Sequence, residues 1–159
     1  MNTDRSGPRL IIVCGLPGAG KTTLARRLEG ELPAVRLCAD EWMDGLAIDV
    51  WDEAARAKVE ALQWGLGRRL LTLGVTVVIE WGTWGRAERD ALRLGARAVG
   101  AAVELRYVFA PVEELFDRVR RRGEEDPPIT REQVRQWAGA FEVPTPEEMA
   151  LYDEPLKAE

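Results

Sequence analysis

A chain of 159 residues, 46% of them apolar and 31% charged, has the length and balance of one globular domain and excludes a disordered or fibrous protein. Its net charge of −5, with basic residues concentrated only at Arg118 to Arg122, argues against a broad nucleic-acid-binding face. With no histidine, a Ser-His triad, a histidine base and histidine-ligated zinc are excluded, and acid–base work falls to carboxylates, Lys, Tyr or Cys.

Residues 1–8, with Asn2, Asp4, Gly7 and Pro8, read as a loose leader. Strands are expected at 9–14, 35–39, 75–80 and 103–109, each separated from the next by a helical pattern. That alternation predicts a three-layer α/β fold, a parallel sheet with helices on both faces. The second helix is expected to turn Val59, Leu62, Leu66, Leu70 and Leu73 inward and to stop at Gly74. The third would bury Ala87, Ala91, Leu94 and Ala98; a fourth, begun by Pro111, would bury Val112, Leu115, Phe116 and Val119. A basic run and a proline-stiffened loop make about 118–130 a lid region, and Thr130-Arg131-Glu132-Gln133 predicts a capping box on a last helix. No repeat or linker marks a second domain, so 1–159 reads as a single domain. Cys14 and Cys38 lack metal-ligand spacing, and neither a signal-peptide pattern nor a membrane-spanning apolar run occurs; a reducing cytoplasm without a membrane partner is expected.

After the first strand comes Gly15-Leu16-Pro17-Gly18-Ala19-Gly20-Lys21-Thr22, a full match to the phosphate loop G-x-x-x-x-G-K-[ST]. Its glycines let backbone N–H groups point inward as an anion nest at a helix N-terminus, Lys21 reaches the β- and γ-phosphates, and the Thr22 hydroxyl ligates Mg²⁺. The nucleotide contacts are assigned to Gly15, Pro17, Gly18, Ala19, Gly20, Lys21, Thr22 and Thr23. A dinucleotide fingerprint is rejected, because Thr23 stands where its third glycine would be. ATP and Mg²⁺ are therefore the expected nucleotide and metal.

Ligands of open parallel sheets bind beyond the carboxyl ends of the strands. Asp40, after the second strand, is the candidate general base for an acceptor hydroxyl, with Glu41 and Asp44 as alternatives and helix capping as the competing structural role. Glu80, at the end of the third strand, suits either a water on Mg²⁺ or the acceptor. Trp42, Trp81 and Trp84 suit an aromatic acceptor wall, with core packing as the alternative. Arg118 and Arg122 lie four apart on one helix face and suit a clamp on phosphates; Arg86 and Arg89, in a first helical turn, suit an anion or an acidic partner.

Together the Gly15 to Thr22 loop, Ala39-Asp40-Glu41-Trp42, the stretch from Val78 to Trp84 leading into Arg86-Ala87-Glu88-Arg89, the Arg118-Val119-x-x-Arg122-Gly123 segment and the run from Phe141 to Glu148 give the chain a resemblance. It resembles, from about Leu10 to Glu148, the small P-loop kinases that include chloramphenicol phosphotransferase, zeta-type toxin kinases and the kinase domain of polynucleotide kinase. The resemblance implies that Asp40 is the catalytic base and that Arg118 and Arg122 belong to the lid. Glu80 stands where such relatives usually carry Asp, and the role of the segment from Phe141 to Glu148 is not derivable from its residues. The expected function is an ATP- and Mg²⁺-dependent transfer of the γ-phosphoryl to a hydroxyl of a small molecule, with Lys21, Asp40, Arg118 and Arg122 as the catalytic set. A nucleic-acid 5′-hydroxyl or sugar-nucleotide acceptor, and a regulatory nucleotide-binding ATPase, are the alternatives; the chain is expected to be a monomer or a homodimer.

Overall fold

The computed structural model describes residues 7–156. Four strands, β1 (Arg9–Cys14), β2 (Ala34–Leu37), β3 (Thr76–Gly82) and β4 (Ala102–Tyr107), form one parallel sheet in the order β2-β3-β1-β4. The helices are α1 (Lys21–Glu31), α2 (Ala39–Gly45), α3 (Glu53–Thr72), α4 (Arg86–Ala98), α5 (Val112–Arg122), α6 (Arg131–Ala140) and α7 (Pro146–Met149). The architecture is the three-layer α/β plan that the alternation of strand and helix patterns predicts.

β1 is apolar at consecutive positions because both of its faces are covered. Leu10, Ile12 and Cys14 join Val77 and Ile79 in a cluster with Leu71, Leu92 and Leu115, whereas Ile11 and Val13 join Val78 against Ala25 and Leu28 of α1. Leu10 to Cys14 are wholly buried. In register, Ile12 lies beside Ile79, and Leu37 beside Ile79 on its other side, so the segments following β1, β2 and β3 emerge together at one end of the sheet. Edge strand β4 is covered near its start by the C-terminal segment: Asp153 N donates to Val103 O at 2.8 Å, and Val103 N donates to Asp153 Oδ2 at 2.7 Å. Of the leader, residues 1–6 lie outside the described residues, while Pro8 O accepts a bond from Ala102 N.

Two helices are rotated relative to the sequence expectation. α3 buries Val59, Gln63, Gly67 and Leu71, and leaves Leu62 and Leu73 about two-thirds exposed, at 70% and 67%. Gln63 sets that face: its Nε2 donates to Cys38 O at 3.1 Å and its Oε1 accepts from Trp81 Nε1 at 2.6 Å. Gly67 lets the helix approach Leu37, whose Cδ1 would lie 3.2 Å from an added Cβ. α4 buries Arg89, Leu92 and Ala96, and Ala87, Ala91, Leu94 and Ala98 face outward. A polar residue with a full set of buried partners can face inward, and apolar periodicity alone does not register it. α5 buries Leu115 and Val119 with Val112 and Phe116 partly covered, as expected. The expected capping box is also formed, Gln133 N donating to Thr130 Oγ1 and Thr130 N to Gln133 Oε1.

Candidate active site

The phosphate loop is shaped by close backbone packing. Gly15 N donates to Gly82 O at 3.2 Å, and a Cβ on Gly15 would sit 2.6 Å from Val108 O. Gly18 adopts φ 84, with Leu115 O 3.3 Å from where its Cβ would lie. Gly20 is the N-cap of α1 in the left-handed region and supplies no side chain, nor does the first turn of α1 carry an acid. The first-turn amides and the positive end of the helix dipole are therefore left for an anion.

Lys21 Nζ donates to Gly15 O at 2.9 Å and Leu16 O at 3.1 Å, which holds the ammonium over the loop. Burial pushes the Lys21 ammonium down to about 8; the carboxylates of Asp40 and Glu80 oppose that shift and Arg122 adds to it. Pro17, Gly18, Ala19, Thr22 and Thr23 join Lys21 along a cleft of about 1840 Å³.

Beside Lys21, Thr22 Oγ1 donates to Glu80 Oε1 at 3.2 Å, and Arg36, which lies on β2, donates to the same oxygen at 3.0 Å. Glu80 Oε2 is buried without a partner. A hydroxyl and an unpartnered carboxylate oxygen on the cleft form a hard-oxygen set suited to Mg²⁺. Among the described residues no group of three His, Cys, Asp or Glu side chains could hold a metal alone, so nucleotide phosphates would have to complete such an ion's ligands.

Asp40 lies in the first turn of α2, whose N-cap is Cys38, so its side chain caps nothing. Its carboxylate is largely exposed on the cleft and accepts a hydrogen bond from Arg56 Nη2, which also donates to Val50 O at 2.8 Å. Glu41 is bound by Arg36 and Arg26, Arg36 being the main cause that holds its carboxyl below the ordinary range. Asp44 also lines the cleft. Glu60, one helical turn beyond Arg56, is pushed up to about 7, first by burial and then by the charges of Glu88 and Asp40, with Arg56 opposing. Burial also raises the Cys14 and Cys38 thiols to about 12, so neither is poised as a nucleophile.

Towards the end of α5, Arg118 Nη1 donates to Gly18 O at 2.9 Å and Nη2 pairs with Glu114. Arg118, Arg121 and Arg122 all line the cleft, opposite α2 and α3. α5 ends at Arg122 with Gly123 in the left-handed region, and Glu124 and Glu125 on the following loop reach the same cleft.

Three expected acceptor residues stand elsewhere. Arg89 is fully buried: Nε and Nη2 form a two-pronged pair with Glu148, each bond 2.8 Å, and its remaining donors bind Thr83 O, Trp84 O and Glu142 O. Every guanidinium donor is used internally, so Arg89 is a strut between the β3–α4 loop and the segment from Phe141 to Glu148, not an anion site. Arg86 lies outside the cleft lining, beside Asp90 and Glu148. Trp42 is exposed on α2 and is not among the residues lining the cleft; the indoles that line it are Trp51, Trp64, Trp81 and Trp84, with Trp51 stacked on Trp137 at 5.6 Å.

A family model for the AAA domain matches residues 10–144. The chain belongs to the AAA domain family. Among solved structures, this AAA-domain chain is similar to one in the Pnkp1/Rnl/Hen1 RNA repair complex, with 22% identity and a TM-score of 0.71 over 87% of this chain and 45% of that one. It therefore spans less than half the length of that relative. It is also similar to a sugar kinase from Janibacter sp., with 24% identity and a TM-score of 0.65 over 89% and 82% of the two chains. A third similar structure is Chaetomium thermophilum Kti12 bound to ADP-AlF3, with 22% identity and a TM-score of 0.67 over 87% and 82%. No functionally curated protein matches the chain. These likenesses establish the small P-loop kinase fold. No helix among the described residues is long and apolar enough to cross a membrane.

Within this AAA-domain fold, sequence reasoning missed Arg36, Arg56, Glu60, Trp51, Trp64 and Thr83. Arg56 and Glu60 carried a signal, opposite charges four apart on a helix. Trp51 and Trp64 carried none, since each reaches the cleft only through the packing of loop 46–52 and α3 against β3.

Proposed function

We propose that the chain is a P-loop kinase that transfers the γ-phosphoryl of ATP to a hydroxyl of a small molecule. The observation that carries this reading is the opening of Asp40 and Lys21 onto one cleft, close enough for the carboxylate to hold up the proton affinity of the ammonium. A nucleotide-binding switch has no need of an exposed, Arg56-oriented carboxylate on the far wall, whereas a hydroxyl acceptor does.

In this reading the loop amides and Lys21 grip the β- and γ-phosphates. Thr22, with Glu80 behind it, would hold Mg²⁺, which neutralises phosphate charge when bound. Arg56 fixes the Asp40 carboxylate, which orients the acceptor hydroxyl and takes its proton as the new P–O bond forms. Arg118 and Arg122 balance the charge that grows on the departing ADP oxygen. The bond between the γ-phosphorus and the β–γ bridging oxygen breaks, and ADP leaves.

Asp40→Asn tests the assignment: transfer to a confirmed acceptor should fall roughly 10²- to 10⁴-fold with ATP affinity little changed. Near-normal transfer by this variant, measured by mass of the phosphorylated acceptor, would sink the role given to Asp40.

A further inference from the structure

The two walls of the cleft carry opposite charge. The wall formed by the phosphate loop, α1 and the end of α5 bears Lys21, Arg27, Arg118, Arg121 and Arg122 against Glu124 and Glu125 on the loop after α5, leaving aside Arg26, which pairs with Glu41. The facing wall, from α2 through α3 to the start of α4, bears Asp40, Asp44, Asp49, Glu53, Glu60 and Glu88 against the single cation Arg56, leaving aside Glu41, which Arg36 and Arg26 neutralise. Asp44, Glu53 and Glu88 have no Lys or Arg partner among the described residues. Four indoles, Trp51, Trp64, Trp81 and Trp84, stand on the same wall.

A separate observation marks this wall as a place for a ligand. Thr83 lines the cleft between Trp81 and Trp84, is 4% exposed, and its Oγ1 is buried with no hydrogen-bond partner. Its φ of 45 places a β-branched residue in the left-handed region, a strained conformation of the kind that collects at binding sites. An unpaired buried hydroxyl costs stability unless something bonds to it.

Resting on the kinase reading above, we propose that the acceptor is a hydroxylated amine, whose ammonium is held by the carboxylates and indole faces of this wall and whose polar groups reach the Thr83 hydroxyl. Carboxylates and indoles attract the same ligand, because the face of an indole carries negative potential. Burial is the main reason the Glu60 carboxyl is raised, with Glu88 and Asp40 adding to it against Arg56, and a cation bound beside it favours its charged form. A phosphate- or carboxylate-bearing acceptor meets the opposite situation, since its charge would face this wall while its hydroxyl sought Asp40. In the transfer itself the acceptor oxygen gains the γ-phosphorus, its proton passes to Asp40, and ADP is released.

The test uses the full chain with ATP and Mg²⁺ and two matched sets of probes: 2-amino-1-phenylethanol, its N-acetyl derivative and mandelate; and glucosamine, N-acetylglucosamine and glucuronate. A 5′-hydroxyl oligonucleotide is run beside them. Binding is read by tryptophan fluorescence with a non-hydrolysable ATP analogue present, and transfer by mass. At least one amine should bind about tenfold or more tightly than its acetylated partner, the factor one well-placed contact corresponds to. Glu53→Lys/Glu88→Lys, with folding checked by circular dichroism, should erase or reverse that preference. Equal binding within both sets, preference for an anion or the oligonucleotide, or a preference unchanged in the variant each overturns the proposal. Amine-selective binding without a phosphorylated product supports the cationic site and counts instead against the kinase reading; transfer to neutral or anionic probes does the converse.

Discussion

The phosphate loop comes from one unbroken stretch, residues 15–23, and works largely through backbone amides, whereas the acceptor wall gathers side chains from α2, loop 46–52, α3 and the β3–α4 loop. A backbone-built site needs residues that permit a particular chain path, and those residues must be contiguous, so it leaves a readable motif. A side-chain-built site needs only that several elements converge, and convergence is a property of packing. The same contrast appears in the arginines. Arg118 lies beside the phosphate loop as its helical spacing suggested, while Arg89, as suggestive in sequence, is spent on an internal strut.

That contrast is broken most sharply at Arg89. Arg89→Ala strands the buried Glu148 carboxylate and should cost about 3–5 kcal/mol of stability by urea unfolding. If the variant stayed as stable as the parent and lost only acceptor binding, Arg89 would belong to the acceptor wall after all. Next in size is Lys21→Ala, which should lower transfer roughly 10²- to 10³-fold and abolish stabilisation by ATP. Because the buried ammonium is desolvated, melting of the unliganded variant should occur no lower than in the parent. A large drop in melting temperature would mean that Lys21 holds the loop together and is more than a phosphate ligand.

A smaller effect is the response of nucleotide binding to pH. The free Lys21 ammonium titrates near 8 and bound phosphates raise it, so binding takes up a proton above that pH and none below it. The Lys21 contribution to ATP affinity should be flat below pH 8 and fall by up to about tenfold per unit above it. Unliganded stability should move the other way: with the folded value below the unfolded one, the cost of the buried charge is complete below pH 8 and is relieved as pH rises towards 10.5. Calorimetry in buffers of different ionisation enthalpy reads the proton uptake directly; none at pH 9 would contradict the buried-ammonium account. The smallest effect belongs to Leu62→Gln on the outward side of α3, expected within about 0.5 kcal/mol of the parent by thermal melting. A loss of several times that amount would restore the inward orientation that apolar spacing predicted.

Sequence patterns made the sheet, the phosphate loop, the α6 capping box and the α5 core face legible, since each is encoded over a few neighbouring positions. They misassigned the inner faces of α3 and α4 because Gln63 and Arg89 are buried polar groups whose partners, Cys38, Trp81 and Glu148, are far away in the chain. The segment from Phe141 to Glu148 was recognisable but mute until its tie to Arg89 was visible. Trp42 and Trp51 were equally eligible for the cleft by composition, and only the path of loop 46–52 separates them.

The sequence by itself determined a parallel α/β sheet and a nest for phosphates, because apolar periodicity and glycine-dependent backbone geometry act locally. Only the tertiary structure decided which carboxylates face the phosphates, which indoles line the cleft and which arginine is a strut. Those outcomes depend on the desolvation and pairing of groups brought together from separate segments, and no local pattern records them.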